Sequence, residues 1–378
     1  MADRFAVAPL LIPIAASFHV SLAAVSGVAS LYYLAYGLMP PLYGVLSDRF
    51  GRVRVIRAAL VGTALADVLS VLSPNLTALL VARFVTGGIA CGVFPTTLVY
   101  LADRFPFNVR QHAITNVLVF VALGTTAGTL GAGLTAHVLG WRYFFLVPGA
   151  IALGVAAALR GTPESLVTRS SQNPVKQVAG VLRHGWALLL LALAVLVGAV
   201  MFGFVTYLAP ALEAKGQSPA IAGAVVASYG VSVLFCTRVL FGSIARRTPA
   251  ALILGGGAAL LLIGYLIAAA TQSTVGILAA SVLAGGAYAF MQSTFQTWAT
   301  DVVPEARGTA TSLFATTIFA GAALATSGVA GLASANRYST LFMIAALVTL
   351  PVVLIGSYAR WRYPGSDAIV GEPAAQIG

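Results

Sequence analysis

Long stretches of this 378-residue chain contain no charged side chain, and this feature limits its possible folds more than any other. Residues 250–300 lack Asp, Glu, Lys and Arg, as do residues 184–212, 308–336 and 338–359. Each run reaches the roughly 20 residues that a helix needs to cross a hydrocarbon core. Over the whole chain 8% of residues are charged, against about 25% in soluble domains.

These proportions exclude several classes of protein. A soluble enzyme or a disordered chain would carry far more charge. Two cysteines, Cys91 and Cys236, are too few for a disulfide-stapled secreted module. A transmembrane β-barrel would alternate apolar and polar residues instead of showing unbroken apolar runs. The sequence therefore predicts an all-α, polytopic membrane protein.

The apolar segments predict twelve membrane-spanning helices, of which the first is too short for a full span. They are expected near residues 5–18, 26–47, 54–73, 76–101, 112–138, 142–160, 185–208, 219–243, 250–271, 275–300, 308–333 and 337–359. Asp3 and Arg4 directly precede the first apolar run. We therefore expect the first half of helix 1 to be missing from this sequence, which would place Asp3 in the middle of the membrane.

The distribution of basic residues predicts the orientation. With a cytoplasmic N-terminus, fifteen Lys and Arg residues fall on the cytoplasmic side, and three, Arg142, Lys215 and Arg337, fall on the outer side. Cytoplasmic loops of membrane proteins carry this excess. Both termini are thus expected in the cytoplasm and the protein in the cell membrane. The net charge of +11 then needs no nucleic-acid partner to explain it.

Two sequence features recur at an offset of 198 residues, which indicates a duplication. Residues 44–49 (GVLSDR) resemble residues 242–247 (GSIARR), and Asp103 before Pro106 resembles Asp301 before Pro304. We therefore predict a six-helix bundle over residues 1–160, a linker over 161–184, a second six-helix bundle over 185–359 and a cytoplasmic tail over 360–378. Parallel repeats of this kind place a substrate site between the halves.

Residues 44–54, GVLSDRFGRVR, carry the strongest local motif. Gly44 would let helix 2 approach a neighbour closely, and Gly51 would permit a tight turn. The segment closely resembles the cytoplasmic signature of the major facilitator superfamily, G-x-x-x-D-R-x-G-R-[KR]. The resemblance implies a two-bundle transporter fold and an inner gate, for which we take Gly44, Asp48, Arg49, Gly51, Arg52, Asp103 and Asp301. Alternatively, Asp103 and Asp301 are interfacial caps or salt-bridge partners.

Further segments resemble the twelve-helix drug:proton antiporter branch and related bacterial efflux proteins. One is Arg83-Phe84-Val85-Thr86-Gly87-Gly88, similar to the family's R-x-x-x-G element. The chain departs from that branch in helix 5, which lacks the usual Gly-Pro pair.

Arg83 and Asp67 lie well inside predicted spans, and Asp3 would lie mid-membrane if helix 1 is truncated; a charge at the bilayer centre costs roughly 2.5–3.5 kcal/mol. Asp3, Arg83 and Asp67 are therefore candidates for coupling transport to protons. The alternatives are that Arg83 reaches backbone or the membrane surface and that Asp67 lies on a peripheral helix.

The fold that the resemblance implies places helices 1, 2, 4, 5, 7, 8, 10 and 11 around a central cavity. The candidate lining is rich in aromatic and amide groups: Tyr32, Tyr36, Phe94, Asn116, Phe202, Tyr207, Tyr229, Tyr288, Gln292, Phe295, Gln296 and Phe314. Such a lining suits small hydrophobic, neutral or weakly cationic compounds. Any of these side chains could instead face lipid or pack between helices.

The sequence shows no phosphate loop, metal cluster or nucleophile constellation, so neither an enzyme nor a cofactor is expected. We predict a monomeric secondary transporter that works by alternating access and exports a small molecule in exchange for protons, with the lipid bilayer as its surroundings. Uptake or facilitated transport of a small metabolite is the alternative, and a non-transporting receptor or scaffold is a more remote one.

Overall fold

The structure, a computed structural model, describes residues 2–105, 107–164, 174–241 and 248–363. Secondary structure in this part of the chain is helical, and we number twelve helices that follow the predicted spans. They are α1 (2–18), α2 (Leu22–Leu38 and Pro40–Phe50), α3 (Arg52–Val71), α4 (Leu76–Arg104), α5 (Phe107–Val138), α6 (Trp141–Gly161), α7 (Gly185–Glu213), α8 (Pro219–Phe235, continued by Cys236–Phe241), α9 (Ala250–Ala270), α10 (Thr274–Asp301), α11 (Pro304–Ser334) and α12 (Tyr338–Arg362).

Nine of these helices are long and apolar enough to cross a membrane, and α2 makes a tenth if its two pieces count as one span. The two pieces of α2 meet at a bend of 48°, where Pro40 cannot donate a backbone hydrogen bond. The two remaining helices are α3, which carries Arg52, Arg54, Arg57 and Asp67, and the short α1. The all-α polytopic prediction is confirmed.

The helices pack in two sets joined by a small number of seams. Within the first six, α2 packs on α4, α3 on α4 and α6, and α1 on α5. Within the last six, α8 and α9 pack on α10, α7 on α11, and α9 on α12. The seams between the sets run along α5 with α8 and α2 with α11, and α1 also touches α7 and α8. A short helix, Pro174–Arg183, precedes α7 and contacts α11 through a Thr309-to-Gln177 hydrogen bond of 2.6 Å.

The two ends of the molecule differ in charge. The basic end, as we call it, holds residues 48–54, 103–104, 160–164, 301–307 and 360–362, and the opposite end holds residues 18–22, 71–76, 138–141, 213–219, 270–274 and 334–338. At the opposite end the two sets touch: the Ala23 amide donates to Ser334 Oγ at 2.6 Å. There α5 also meets α8, where Gly133 lies against Gly223 and the Pro219 carbonyl.

The glycine contact at the opposite end leaves no room for a side chain. A Cβ built on Gly223 would lie 2.9 Å from the Gly133 Cα and from the Thr129 carbonyl oxygen. Both neighbours are backbone, which cannot rotate away. The seam between α5 and α8 therefore closes this end because both positions are glycine.

We predict that Gly223→Leu separates the two sets at the opposite end, because overpacking a tight contact costs about 1–3 kcal/mol. The readout is maleimide labelling of Ser26→Cys, a buried position beside Tyr207, with Cys91 and Cys236 replaced by serine. Labelling should become several-fold faster. The matched control is Gly154→Leu on the exposed face of α6, where a Cβ has open space. Equal labelling rates in both variants would contradict the conclusion that the Gly133–Gly223 contact closes the opposite end.

Candidate functional site

A buried arginine on α4 holds the carboxylate of Asp3 in a two-pronged ion pair. Arg83 is fully buried; its Nη1 donates to Asp3 Oδ1 at 3.0 Å and its Nη2 to Asp3 Oδ2 at 2.8 Å. The parallel arrangement of two charge-assisted bonds is the strongest that arginine and carboxylate make. The pair offsets the cost of burying both charges, and it ties the start of α1 to α4.

A second carboxyl competes for the same arginine. Asp67 on α3 is fully buried, and its Oδ1 lies 3.6 Å from Arg83 Nη1. Neither Asp67 oxygen has a hydrogen-bond partner within the described residues. The site thus sets two carboxyls against one guanidinium. A proton on Asp67 removes the uncompensated charge, whose burial would otherwise be expensive. The three coupling candidates of the sequence analysis are brought together here.

Aromatic rings clamp the guanidinium of Arg83 from two sides. Its Cζ lies 4.8 Å from the ring centre of Tyr32 on α2 and 4.9 Å from that of Phe145 on α6. Arg83 therefore contacts α1, α2, α3 and α6 while belonging to α4. α2 comes this close because the neighbouring Gly87 lies directly against the Tyr32 backbone.

Sequence reasoning missed the second buried arginine of this region, Arg4. Asp3 and Arg4 are adjacent on α1, so they point about 100° apart. Asp3 turns to Arg83, whereas Arg4 turns into a box of four rings. Their centres lie 4.7 Å (Phe5), 5.9 Å (Tyr36), 4.7 Å (Phe202) and 5.4 Å (Phe319) from Arg4 Cζ. The sequence feature that could have identified Arg4 is its charge, the second one at the start of an apolar segment.

The aromatic box, as we call Phe5, Tyr36, Phe202 and Phe319, is built by both sets of helices. Phe5 and Tyr36 come from α1 and α2, whereas Phe202 and Phe319 come from α7 and α11. Residues Ala199–Gly203 of α7 form a π-helical turn that carries Phe202, and such turns are frequent at functional sites. Any relative movement of the two sets therefore changes the surroundings of Arg4.

Two further predicted cavity residues adjoin the box. The Tyr229 ring lies 5.3 Å from that of Phe5, and the Tyr288 ring lies 6.0 Å from that of Phe202. The Tyr229 hydroxyl is buried without a hydrogen-bond partner among the described residues. Tyr32 stacks on Tyr36 at 5.9 Å, and so links the box to Arg83.

The other predicted cavity residues divide into two groups. Those toward the basic end are half-buried or exposed: Phe94, Asn116, Gln292 and Gln296. The remaining three are buried in helix contacts of the second set. Phe295 stacks on Trp298 and Phe314, and the Tyr207 hydroxyl donates to the Thr326 carbonyl. The structure thus places Tyr207, Phe295 and Phe314 in packing positions instead of a cavity wall.

At the basic end, Arg52 joins two of the predicted gate carboxylates. It forms an ion pair with Asp48 on α2, and its Nε donates to Asp103 Oδ2 on α4 at 3.2 Å. Its Nη1 also donates to Ser47 Oγ at 2.6 Å. This cluster connects α2, α3 and α4, which all belong to the first set of helices.

Glu164, which sequence reasoning did not place in the site, completes this cluster. Its carboxylate accepts from the Val53 and Arg54 amides at 3.0 and 2.8 Å, at the start of α3. It occupies the space beside Gly51, whose φ of +101° favours glycine. The tight turn predicted at Gly51 is therefore present, and Glu164 ties the end of α6 to it.

Three gate candidates lie apart from this cluster. Arg49 stacks over Phe50 at 5.4 Å, and Asp301 uses its backbone carbonyl to accept from the Tyr363 hydroxyl. Neither has an ion pair among the described residues. A Cβ at Gly44 would meet no described atom within 4 Å, so the close helix approach expected there is not seen among the described residues. The second motif copy, residues 242–247, lies outside the described residues.

Solved transporter structures share this architecture. The nucleoside transporter NupG (D323A mutant) superposes with a TM-score of 0.79 at 12% identity, over 95% of this chain and 96% of that chain. A D-xylose-proton symporter gives 0.75 at 19% identity, over 97% and 95%. At such low identity the likeness shows the fold alone.

Curated relatives match a part of the chain. A niacin transporter, NiaP of Acinetobacter baylyi, is 30% identical over 139 residues, covering 37% of this chain and 32% of the relative. The quinolone resistance protein NorB of Staphylococcus aureus is 26% identical over 157 residues, covering 42% and 34%. The matches thus span about a third of the length of these relatives.

The family model described as "Major Facilitator Superfamily" matches residues 1–326, well over half of the chain. The packing of two helix sets around a central region agrees with that match. The chain belongs to the major facilitator superfamily of membrane transporters.

Proposed function

We propose that this transporter exports small, mostly apolar compounds from the cytoplasm in exchange for protons, by alternating access. The observation that carries the proposal is Asp67, a fully buried carboxyl beside the Arg83–Asp3 pair and close to the central aromatic box. A carboxyl that shares one arginine with a second carboxyl can take up and release a proton. The ion gradient supplies the driving force, since each charge is worth about 2.3 kcal/mol per 100 mV.

The moving bodies in this proposal are the two six-helix bundles, residues 1–160 and 185–359, joined by the linker 161–184. The opposite end is closed by the Gly133–Gly223 contact, whereas toward the basic end Asn116 is exposed and Gln296 is half-buried. We infer from the excess of basic residues that the basic end, and with it both termini, faces the cytoplasm. In this proposal the described conformation is the one open toward the cytoplasm.

Proton uptake would be coupled to movement through Arg83. When Asp67 is protonated, Arg83 forms an ion pair with Asp3 alone. When Asp67 loses its proton, two carboxylates compete for one guanidinium, and the bond to Asp3 weakens. Asp3 is adjacent to Arg4, so a shift of α1 displaces the aromatic box that both bundles share. Among the described residues, the charged groups facing Asp67 are Arg83 and Asp3, and α6 presents the uncharged Gly149.

Arg4 in the aromatic box restricts the substrate class that the sequence predicts, which is small hydrophobic, neutral or weakly cationic compounds. Arg4 would repel a cationic compound at the centre of the site, so we retain the small, apolar part of that prediction and not the weakly cationic part. Export is supported by the likeness to a quinolone resistance protein. The likeness to a niacin transporter supports uptake of a metabolite as the second candidate.

Proton-coupled export is tested in everted membrane vesicles that carry an imposed pH gradient. A fluorescent pH probe reports proton movement while small aromatic compounds of charge +1, 0 and −1 are added. At least one compound should collapse the gradient and accumulate inside the vesicles. Accumulation in right-side-out vesicles instead would indicate uptake. The absence of flux in both preparations would contradict transport and favour a non-transporting scaffold.

We predict that Asp67→Asn uncouples transport, because asparagine imitates the neutral acid permanently. Uphill accumulation driven by a pH gradient should fall at least about tenfold, whereas exchange of labelled for unlabelled substrate continues. The matched control is Ser70→Ala on the same helix, whose buried hydroxyl bonds only to the Ala66 carbonyl in the described structure. If Asp67→Asn still accumulates substrate like the control, Asp67 does not carry the proton.

We also propose that the Asp48–Arg52–Asp103 cluster acts as an inner latch in the first bundle, with Arg49 and Asp301 joining it in the conformation closed toward the cytoplasm. Asp48→Asn should then slow transport about tenfold without loss of expression, since it removes one partner of Arg52. The control is Glu305→Gln, an exposed basic-end residue without a described ion pair. Unchanged flux in Asp48→Asn would overturn the latch.

A further inference from the structure

Arg4 has unsatisfied hydrogen-bonding capacity at the centre of the protein. Its side chain is 4% exposed, its Nε has no partner, and no described residue forms a hydrogen bond or ion pair with it. A guanidinium carries five N–H donors, and buried donors are normally satisfied. Arg83 differs in its terminal nitrogens, which both bond to Asp3, although its Nε is likewise without a partner among the described residues.

The aromatic box stabilises the charge of Arg4 without using its donors. Four ring faces lie 4.7–5.9 Å from Cζ, within the range of cation–π attraction. Rings accept no strong hydrogen bond in the plane of the guanidinium, so its N–H groups stay free for a ligand.

A second donor lies next to the box. The Tyr229 hydroxyl is buried without a described partner, and its ring contacts Phe5. The nearest carboxylate in sequence, Asp3, is already committed to Arg83. The centre therefore holds one uncompensated positive charge and a free hydroxyl. A ligand with one negative charge and two acceptor oxygens satisfies both, whereas a cation is repelled and a dianion is overcompensated.

We propose that the central site recognises small aromatic monoanions, chiefly carboxylates, through Arg4, Tyr229 and the aromatic box. This inference deepens the proposed transport function and rests on it. The anion would bind Arg4 from the first bundle while its ring packs against Phe202 and Phe319 of the second. Binding would thus depend on the relative position of the bundles, as alternating access requires.

The test compares matched anionic and neutral probes on the purified full-length protein. The pairs are benzoate with benzamide, 1-naphthoate with 1-naphthamide, and indole-3-acetate with indole-3-acetamide. Thermal-shift titration should give, for at least one pair, an acid that binds about tenfold or more tightly than its amide. Benzylamine should produce no shift. Because this comparison uses the wild-type protein, it does not depend on whether any variant folds.

Variants then assign the discrimination to named groups. Arg4→Gln should abolish the preference for the acid, Tyr229→Phe should reduce it several-fold, and Arg4→Lys should keep part of it. The matched control is Arg142→Gln at the opposite end, an arginine that also stacks on rings, with Trp141 at 4.4 Å, but lies outside the box. It should keep the full preference.

The outcomes separate this inference from the proposed function. If no pair discriminates acid from amide, or if Arg4→Gln retains the preference, the anion site is wrong, even where vesicles show proton-coupled flux of neutral compounds. If the acids bind through Arg4 but no compound is transported, the anion site stands and the transport mechanism fails.

Discussion

A single buried guanidinium, that of Arg83, organises the first bundle. In an environment that excludes water, its charge demands a partner, and Asp3 supplies one through two parallel bonds of 3.0 and 2.8 Å. Leaving either partner uncompensated costs about 3–5 kcal/mol, so α1 and α4 are held together by electrostatics as well as by packing. The charge state of Asp67 affects the strength of this ion pair. Asp67 Oδ1 lies 3.6 Å from Arg83 Nη1, close enough to compete with Asp3, but Asp67 makes no hydrogen bond within the described residues.

In the proposed mechanism the Arg83–Asp3–Asp67 cluster influences transport because it lies next to the contacts between the bundles. Tyr32 stacks on Arg83 and on Tyr36, and Tyr36 contacts both Arg4 and Phe319. A change of charge at Asp67 thus has a continuous set of contacts to the second bundle. Such adjacency is structural support for coupling, and energetic coupling is a separate quantity that has to be measured. The bend in α2 follows Tyr36 by a few residues, and the π-helical turn in α7 carries Phe202 of the box.

The fold was largely predictable because apolar run length and basic-residue placement are properties of local sequence. The site was predictable in part. Charges within apolar runs identify Asp3, Arg83 and Asp67, since burial makes every such residue costly. Sequence could not show that Asp3 meets Arg83 whereas Arg4 meets four aromatic rings, because the orientation of a short helix depends on its neighbours. Nor could it separate Tyr229, which adjoins the box, from Phe295 and Phe314, which pack within the second bundle; all three are aromatic residues on apolar helices. Glu164 was not assigned to the gate because its role depends on the return of α6 beside α3.

The most direct test of the central claim, that protonation of Asp67 shifts the two bundles relative to each other, is a pair of distances measured by spin-label spectroscopy. One label pair, at Val138 and Val275, spans the opposite end, and another, at Arg54 and Glu305, spans the basic end; all four positions are exposed. Between acidic and alkaline pH, we expect the two distances to change in opposite senses, and we expect Asp67→Asn to remove that change. Distances that do not depend on pH, or that respond to pH equally with asparagine at position 67, would contradict the account.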